Sequence, residues 1–329
     1  MKTIAVLTSG GDAPGMNAAV RAVVRYGCES KLRVLGIRRG YTGLINGDMY
    51  EMNLRSVSDI IHRGGTTLFS ARCPEVKTEK GMNKAIEVCK SNNIDGIVVI
   101  GGDGSFRGAR DLSLRGIPCV GVPGTIDNDI ACCDYTIGYD TALNTIMDMV
   151  DRIRDTTESH DRCSVVEVMG RHAGYLALNG GIAAGATSIL IPEHKFDVKV
   201  DIIDRMARTQ ETGKKHFIIM VAEGCVDMLR EQGIDGTIGL AKYIQDKTEV
   251  ESRATILGHV QRGGSPTARD RILASKMGYR AVDLLKKGTG NRVVAIHKDE
   301  IVDYDIYEAL KMEKHIDMDI YKIAMHISI

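Results

Sequence analysis

The chain is predicted to fold as α/β, with two doubly wound, mostly parallel sheets, and three features point there. Short apolar runs alternate with amphipathic stretches, several runs are apolar on both faces, and Gly, Pro or Asp closely follows many of them. Thr3–Thr8 opens the pattern as a strand, and Met16, Ala19, Val20, Val23 and Val24 recur at helical spacing behind it. Arg33–Arg38 reads as the second strand. Gly96–Ile100 (GIVVI) and Cys119–Val122 lack a polar face, as strands covered by helices on both sides should. Leu143, Ile146, Met147, Val150 and Ile153 form another helical stripe. Ser164–Met169, Ser188–Ile191, Phe217–Ala222, Thr255–Leu257 and Val293–Ile296 complete the expected strands. No Pro- or Ser-rich linker marks a boundary, so two domains would be joined by more than one crossing of the chain.

A length of 329 residues suits two domains with cores that need no disulfides or metal clips. Lys+Arg and Asp+Glu both number 43, so no global field favours nucleic acid. No run of 18 apolar residues exists to span a membrane, and the N-terminal apolar run is too short for a signal peptide. The eight cysteines form no CxxC pair and read as reduced, partly buried thiols of a cytoplasmic protein. Gly is abundant at 36, against 6 Pro, 4 Phe and no Trp, which suggests tight turns and close backbone approach to a ligand.

In such sheets ligands bind beyond the carboxyl ends of the strands, which directs attention to four loops. Thr8-Ser9-Gly10-Gly11-Asp12-Ala13-Pro14-Gly15 is a tight turn or an anion cradle at a helix N-terminus. It is neither GxGxxG nor GxxxxGK[ST], and the second strand ends in Arg38-Arg39 rather than in an acid for a ribose. Gly101-Gly102-Asp103-Gly104-Ser105 lets phosphates approach backbone, with Asp103 able to hold Mg²⁺ through water. Pro123-Gly124-Thr125-Ile126-Asp127-Asn128-Asp129 carries two carboxylates, one for a proton and one for a metal, although Asp and Asn also suit plain turns. Leu257-Gly258-His259-Val260-Gln261-Arg262-Gly263-Gly264-Ser265-Pro266 offers His and Arg to a phosphate or carboxylate. Arg72, Arg162, Arg171 and Arg253 are further cations, each also explicable as solvated surface. Arg21 and Arg25 stand four apart on one helix, where like charges repel unless an anion lies between them. Together these parts suit phosphoryl transfer, which is mostly positioning and charge neutralisation.

The ordered set TSGGDAPGMN, RGG-x₄-SARCPE, GGDGS, PGTIDND, MGRHAG, AEG and LGHVQRGGSP resembles the bacterial ATP-dependent 6-phosphofructokinase family, from Thr3 to about Leu310. The resemblance implies transfer of the ATP γ-phosphoryl group to the 1-hydroxyl of fructose 6-phosphate, with Mg²⁺. It makes Asp127 the general base with Thr125 and Asp129 beside it, and Arg171 a cation for the transferring group. Gly11, Arg72, Cys73, Gly102, Asp103, Gly104 and Ser105 would line the nucleotide, Asp103 anchoring the metal. Thr125, Ile126, Met169, Gly170 and Glu223 would hold the sugar, and His259, Val260, Gln261 and Arg262 its 6-phosphate end. Arg162 and Arg253 would come from a neighbouring subunit of a homotetramer with shared active sites. Pyrophosphate-using relatives carry Asp and Lys where this chain has Gly104 and Gly124, so ATP is the expected donor.

An effector pocket for ADP or phosphoenolpyruvate is implied at Arg21, Arg25, Arg154, Gly185, Thr187, Thr212, Lys214, Lys215 and His216. Thr187 and Thr212 replace the usual glutamate and lysine, and Leu54-Arg55 seats an arginine one residue off. A blunted or altered ADP response is therefore expected. Extra residues are expected near Met228–Glu251. The implied architecture places a larger, nucleotide-binding domain at 1–138 and 261–311, a smaller, sugar-phosphate-binding domain at 139–260 and 312–329, and the active site in the cleft. NAD or lipid kinases share GGDG-like loops but lack the TIDND and GHVQRGGSP partners. A non-catalytic regulatory homologue would often lose a carboxylate, whereas Asp103, Asp127 and Asp129 are all present.

Overall fold

The chain, described over residues 1–328 in a computed structural model, divides into two compact units. The first comprises Met1–Ile126, Ile130–Thr141 and Arg262–Lys314, and the second Asp127–Asp129, Ala142–Gln261 and His315–Ile329. From the amino terminus the order is β1 (Thr3–Thr8), α1 (Met16–Glu29), β2 (Arg33–Ile37), α2 (Gly40–Asn46), β3 (Met49–Met52), α3 (Glu79–Ser91), β4 (Gly96–Gly101), α4 (Asp103–Ser113) and β5 (Cys119–Pro123). There follow α5 (Tyr139–Ser159), β6 (Cys163–Val168), α6 (Tyr175–Ala183), β7 (Ser188–Leu190), α7 (Asp204–Glu211), β8 (Phe217–Ala222), α8 (Val226–Glu231), α9 (Gly236–Thr248) and β9 (Ser252–Ile256). The chain closes with α10 (Ala268–Lys286), β10 (Arg292–His297), β11 (Glu300–Asp305), α11 (Ile306–Ala309) and α12 (Met318–Ile327).

The first unit is built on a seven-stranded sheet in the order β11-β10-β5-β4-β1-β2-β3. Its pairs are parallel except at the two edges, where β3 and β11 run antiparallel to β2 and β10. The central strands β1, β4 and β5 are buried along their whole length, as their unbroken apolar runs require. Helix α1 packs on α10 with backbone close to backbone: a Cβ on Gly278 would lie 2.7 Å from the Ala19 carbonyl oxygen. Strand order reverses at β1, with β2 on one side and β4 on the other, so the topological switch point lies at the carboxyl ends of β1 and β4.

The second unit holds a four-stranded, wholly parallel sheet in the order β7-β8-β6-β9. Strand β8 is entirely buried, and Gly180 of α6 admits Ile146 of α5. Helix α12 closes one side, with the Tyr321 hydroxyl donating to the Ile189 carbonyl at 3.3 Å. The buried Arg205 of α7 donates to the Thr187 carbonyl at 2.7 Å and to Met325 O and Ser328 Oγ, satisfying groups at the carboxyl end of α12.

The expected strands are present, with shifted ends. Arg33–Arg38 stops at Ile37, and Ser164–Met169 runs from Cys163 to Val168. The expected Thr255–Leu257 overlaps only the end of a strand that runs from Ser252 to Ile256, because Cys163 pairs with Ser252 in the ladder and Ser252 faces the core. Among the described residues no helix is long and apolar enough to cross a membrane. Six of the eight cysteines are buried, and Cys28 and Cys73 are half-buried. Burial pushes the thiols of Cys89, Cys119, Cys132, Cys163 and Cys225 up to about 12.

Candidate active site

Three of the singled-out loops follow β1, β4 and β5, which are neighbours in the first sheet. The Thr8–Gly15 loop is held at its start by the Ser9 N–H donating to Ile100 O at 2.9 Å. The Thr8 hydroxyl donates to Phe69 O at 2.8 Å. Gly10 and Gly15 take φ of 87° and 105°, the left-handed region that only glycine enters without strain, and Gly15 then leads directly into α1. Gly11 is bare for a second reason: its Cα faces the Arg262 guanidinium, whose Nη1 also donates to Asp12 O at 3.3 Å. The structure thus brings Arg262 against the first glycine turn.

Gly102 precedes α4 without any side-chain cap, leaving a helix N-terminus free to face an anion. The first turn of α4 is anchored from below by the buried Tyr41, whose hydroxyl donates to Ser105 O at 2.6 Å. Burial holds the Tyr41 phenol well above its ordinary range. Asp103 is paired with Arg107 one turn on, Nε to Oδ2 at 2.8 Å. Gly104 is exposed and open, while Ser105 is buried.

The third loop is latched by Gly124 N–H to Gly101 O at 3.0 Å, Thr125 N–H to Ile137 O at 3.1 Å and the Thr136 hydroxyl to Thr125 O at 2.6 Å. A Cβ on Gly102 would lie 4.0 Å from the Thr125 Cβ, so the second and third loops touch. Thr125, Asp127 and Asn128 are each under a tenth exposed, Asn128 at φ 53°, and Asp129 is exposed. Ile126 is wholly buried, so its apolar side chain packs in the core rather than against a sugar. Arg72 is exposed and Cys73 half-buried ahead of the Pro74–Lys77 turn.

In the second unit the relevant loops follow β6, β8 and β9, again sheet neighbours. Glu223, at the end of β8, accepts through Oε1 from the N–H groups of Gly170 and Arg171 at 3.2 and 2.5 Å. That bond fixes a turn in which Gly170 and Arg171 both have positive φ, 139° and 59°. Glu193 takes the Gly174 N–H at 2.8 Å, and burial raises its carboxyl above the usual range despite that bond. Gln261, expected at the sugar phosphate, is instead fully buried: its Oε1 accepts the Met169 N–H at 3.1 Å and its Nε2 donates to Gly258 O at 2.9 Å. Its side chain braces the two loops. His259 and Val260 are exposed beside it.

Arg162 and Arg253 lie at the other end of the same sheet. Arg162 and Met169 lie seven positions apart along an extended strand, about 23 Å at ~3.3 Å per step. Glu251 binds both arginines, at 2.9 and 2.5 Å, and the Arg162 guanidinium beside it holds its carboxyl below the ordinary range. Within one chain, therefore, these two cations stand apart from Met169, Glu223 and His259.

The expected effector residues divide likewise. Arg21 and Arg25 share a face of α1, and burial with the neighbouring Arg25 lowers the Arg21 pKa. Arg154 donates to Ala184 O beside Gly185, and burial together with Arg154 lowers the pKa of Lys214. A cavity of about 190 Å³ opens there, lined by Gly185, Lys214 and the end of α12. Lys215 is exposed and His216 half-buried. Thr212 spends its hydroxyl on Thr209 O at 2.7 Å. Thr187, expected at the effector, is fully buried, bonded through its backbone to Ile218 and Arg205, and reaches no surface.

Asn17, which donates to Arg63 O and Gly64 O, Tyr41 and Glu193 carry no signal in the sequence, since each bonds backbone groups distant in the chain.

The family profile described as Phosphofructokinase matches residues 3–285. A Bacillus mycoides protein named ATP-dependent 6-phosphofructokinase is 55% identical over 329 residues, 100% of both chains. One of the same name from Clostridium botulinum is 56% identical over 328 residues, also 100% of both. Among solved structures, phosphofructokinase from Saccharomyces cerevisiae superposes with a TM-score of 0.85 at 35% identity, covering 100% of this chain and 48% of the yeast chain. A pyrophosphate-dependent phosphofructokinase from Marinobacter aquaeolei shares the fold, with a TM-score of 0.83 at 22% identity over 97% of this chain and 86% of that one.

Proposed function

The chain belongs to the phosphofructokinase family, and we infer from that membership that it is an ATP-dependent 6-phosphofructokinase. It transfers the γ-phosphoryl group of ATP to the 1-hydroxyl of fructose 6-phosphate, giving fructose 1,6-bisphosphate and ADP. The observation that carries the reading is the set of glycine-rich and acidic loops at the carboxyl ends of the adjacent strands β1, β4 and β5. Open helix N-termini and bare glycines there suit a polyphosphate, and the carboxylates of the third loop suit an alcohol to be deprotonated.

In this reading Asp127 takes the proton of the 1-hydroxyl as the hydroxyl oxygen attacks the γ-phosphorus, while the bond from that phosphorus to the bridging oxygen breaks and ADP departs with the oxygen. Thr125 and Asp129 flank it. Arg171, held in its turn by Glu223, supplies positive charge to the transferring group. The same bond leaves Glu223 Oε2 for a sugar hydroxyl, with Met169 and Gly170 beside it. Gly11, Gly102, Gly104 and Ser105, with Arg72 and Cys73, receive the nucleotide, and His259 and Arg262 the 6-phosphate. Asp103 is the residue for Mg²⁺. Magnesium is commonly held by one carboxylate with phosphates and water, and Asp103, half-buried in the first turn of α4, offers such a carboxylate. Bound there, the ion would neutralise phosphate charge.

The distance of Arg162 and Arg253 from the other sugar residues supports an active site completed by a second subunit, which the family resemblance makes part of a homotetramer, in the cytoplasm. The buried Thr187 supports an effector pocket that takes an anion without a carboxylate for its metal, hence a weakened response to ADP. The test of the catalytic assignment is Asp127→Ser. Turnover should fall about 10²- to 10⁴-fold with fructose 6-phosphate binding nearly intact; undiminished turnover would remove Asp127 from the mechanism.

A further inference from the structure

We propose that Asn17 is a positioning residue for phosphoryl transfer, acting through the irregular segment of residues 62–70. The inference rests on the kinase reading above. Asn17 lies in the first turn of α1, is 1% exposed, and spends its whole amide on this segment. Its Nδ2 donates to Arg63 O at 3.0 Å and Gly64 O at 3.2 Å, and its Oδ1 accepts the Thr67 N–H at 2.8 Å. A short polar side chain buried in a helix with both ends bonded to distant backbone orders something other than its own helix.

The segment it holds has no helix or strand of its own, so outside partners decide where it sits. On one side it meets the first glycine turn: Thr8 Oγ1 bonds Phe69 O and Thr66 Oγ1 at 2.8 and 2.9 Å, and the Ser70 hydroxyl donates to Gly10 O. On the other side it meets the loop that carries Arg262. Gly64 lies backbone against backbone on Gly264, closer than any Cβ would allow, and the Ser265 hydroxyl donates to His62 O at 2.8 Å. One side chain therefore sets the spacing between the loop proposed for the nucleotide and the loop proposed for the sugar phosphate. Beside it a cavity of about 310 Å³, lined by Asn17, Arg63, Gly64, Thr66, Thr67 and Phe69, leaves room for water. Loss of the amide would thus loosen the segment rather than collapse it.

A misplacement of about 1 Å at reacting groups lowers rates on the order of 100-fold, so Asn17→Ala should lower kcat about 10- to 100-fold. Both substrates' KM values should move, because both loops lean on the segment. Asn17→Asp, nearly isosteric, separates positioning from bulk. Ionised, it faces the Arg63 and Gly64 carbonyls with negative charge; protonated, it regains one donor. Its deficit relative to wild type should shrink as pH falls, a titration the wild type lacks. Asp303→Asn, remote from these loops, serves as a control for general destabilisation. Steady-state kinetics with ATP and fructose 6-phosphate decide the matter, each rate referred to the folded fraction by circular dichroism. The inference is overturned if folded Asn17→Ala keeps kcat and both KM values within about twofold, a difference below ~0.5 kcal/mol. If Asn17→Ala does not fold, a flat pH response of the Asn17→Asp deficit overturns it. A wild type that does not phosphorylate fructose 6-phosphate would instead defeat the kinase reading.

Discussion

Donor choice can be tested at Gly104, where geometry permits a clean perturbation. Residue 104 is the second position of α4, its φ is not in the left-handed region, and a Cβ built on it has no heavy atom within 4 Å. Gly104→Asp therefore adds a carboxylate without a steric shift, at a helix N-terminus that favours negative charge by about 0.3–1 kcal/mol. Folding should be unimpaired. The added charge would share the α4 terminus with the nucleotide's phosphates. Two unit charges ~5 Å apart at an effective dielectric of ~20 repel by about 3 kcal/mol, and exposure with salt screening reduces this to about 1–2. KM for ATP should then rise about 5- to 30-fold, with KM for fructose 6-phosphate nearly unchanged. A coupled assay at two ionic strengths reads the effect, which should weaken at high salt. The partner position is less clean: a Cβ on Gly124 would lie 3.1 Å from Met16 Cε and 3.2 Å from Ile100 Cγ2, so Gly124→Lys would perturb packing as well as charge. An unchanged KM for ATP in folded Gly104→Asp would refute the placement of the phosphates at this terminus.

The control carboxylate has its own pH signature. Asp303 bridges Arg280 at 2.6 Å and Arg292 at 2.8 Å; burial opposes its ionisation, but the two guanidinium groups overcome it and lower its pKa. A depressed folded pKa gives stability present above the unfolded value near ~3.9 and lost as pH falls through the folded one. Asp303→Asn should cost about 1–3 kcal/mol at pH 7, read from urea midpoints, with the gap to wild type closing in acid. A gap that stays constant down to pH 2 would show that the ion pairs contribute nothing. For the effector pocket, ADP should barely shift the half-saturating concentration of fructose 6-phosphate; strong activation by ADP, abolished in Arg21→Ala, would contradict the blunted response.

What the sequence could disclose tracked how local its physical cause was. Strands β1, β4 and β5 are covered on both faces, so their apolar runs announce them without knowledge of any neighbour. The edge strands β3 (MYEM) and β11 (EIVDYD) are partly exposed, carry charge, and exist because β2 and β10 offer open edges to antiparallel partners. Nothing inside four or six such residues distinguishes them from loop. The start of β9 is hidden for the same reason: Arg253, exposed on the edge, interrupts an apolar pattern that Ser252 on the core side does not restore.

The site divides along the same line. Gly10, Gly102 and Gly124 stand out because a glycine that must admit an anion or a neighbouring backbone leaves a mark at its own position. Gln261 and Asn17 leave no such mark. Each is an ordinary amide in a polar loop or helix start until the chain has folded, and only then does it meet the Met169 N–H or the Arg63 and Gly64 carbonyls. Adjacency to His259 and Arg262 gives no hint that the Gln261 side chain folds back as a brace. Motif reading therefore finds the residues whose cause is local and passes over those that hold loops through distant backbone groups. In a reaction whose rate depends on alignment, the second group should carry kinetic weight comparable to the first.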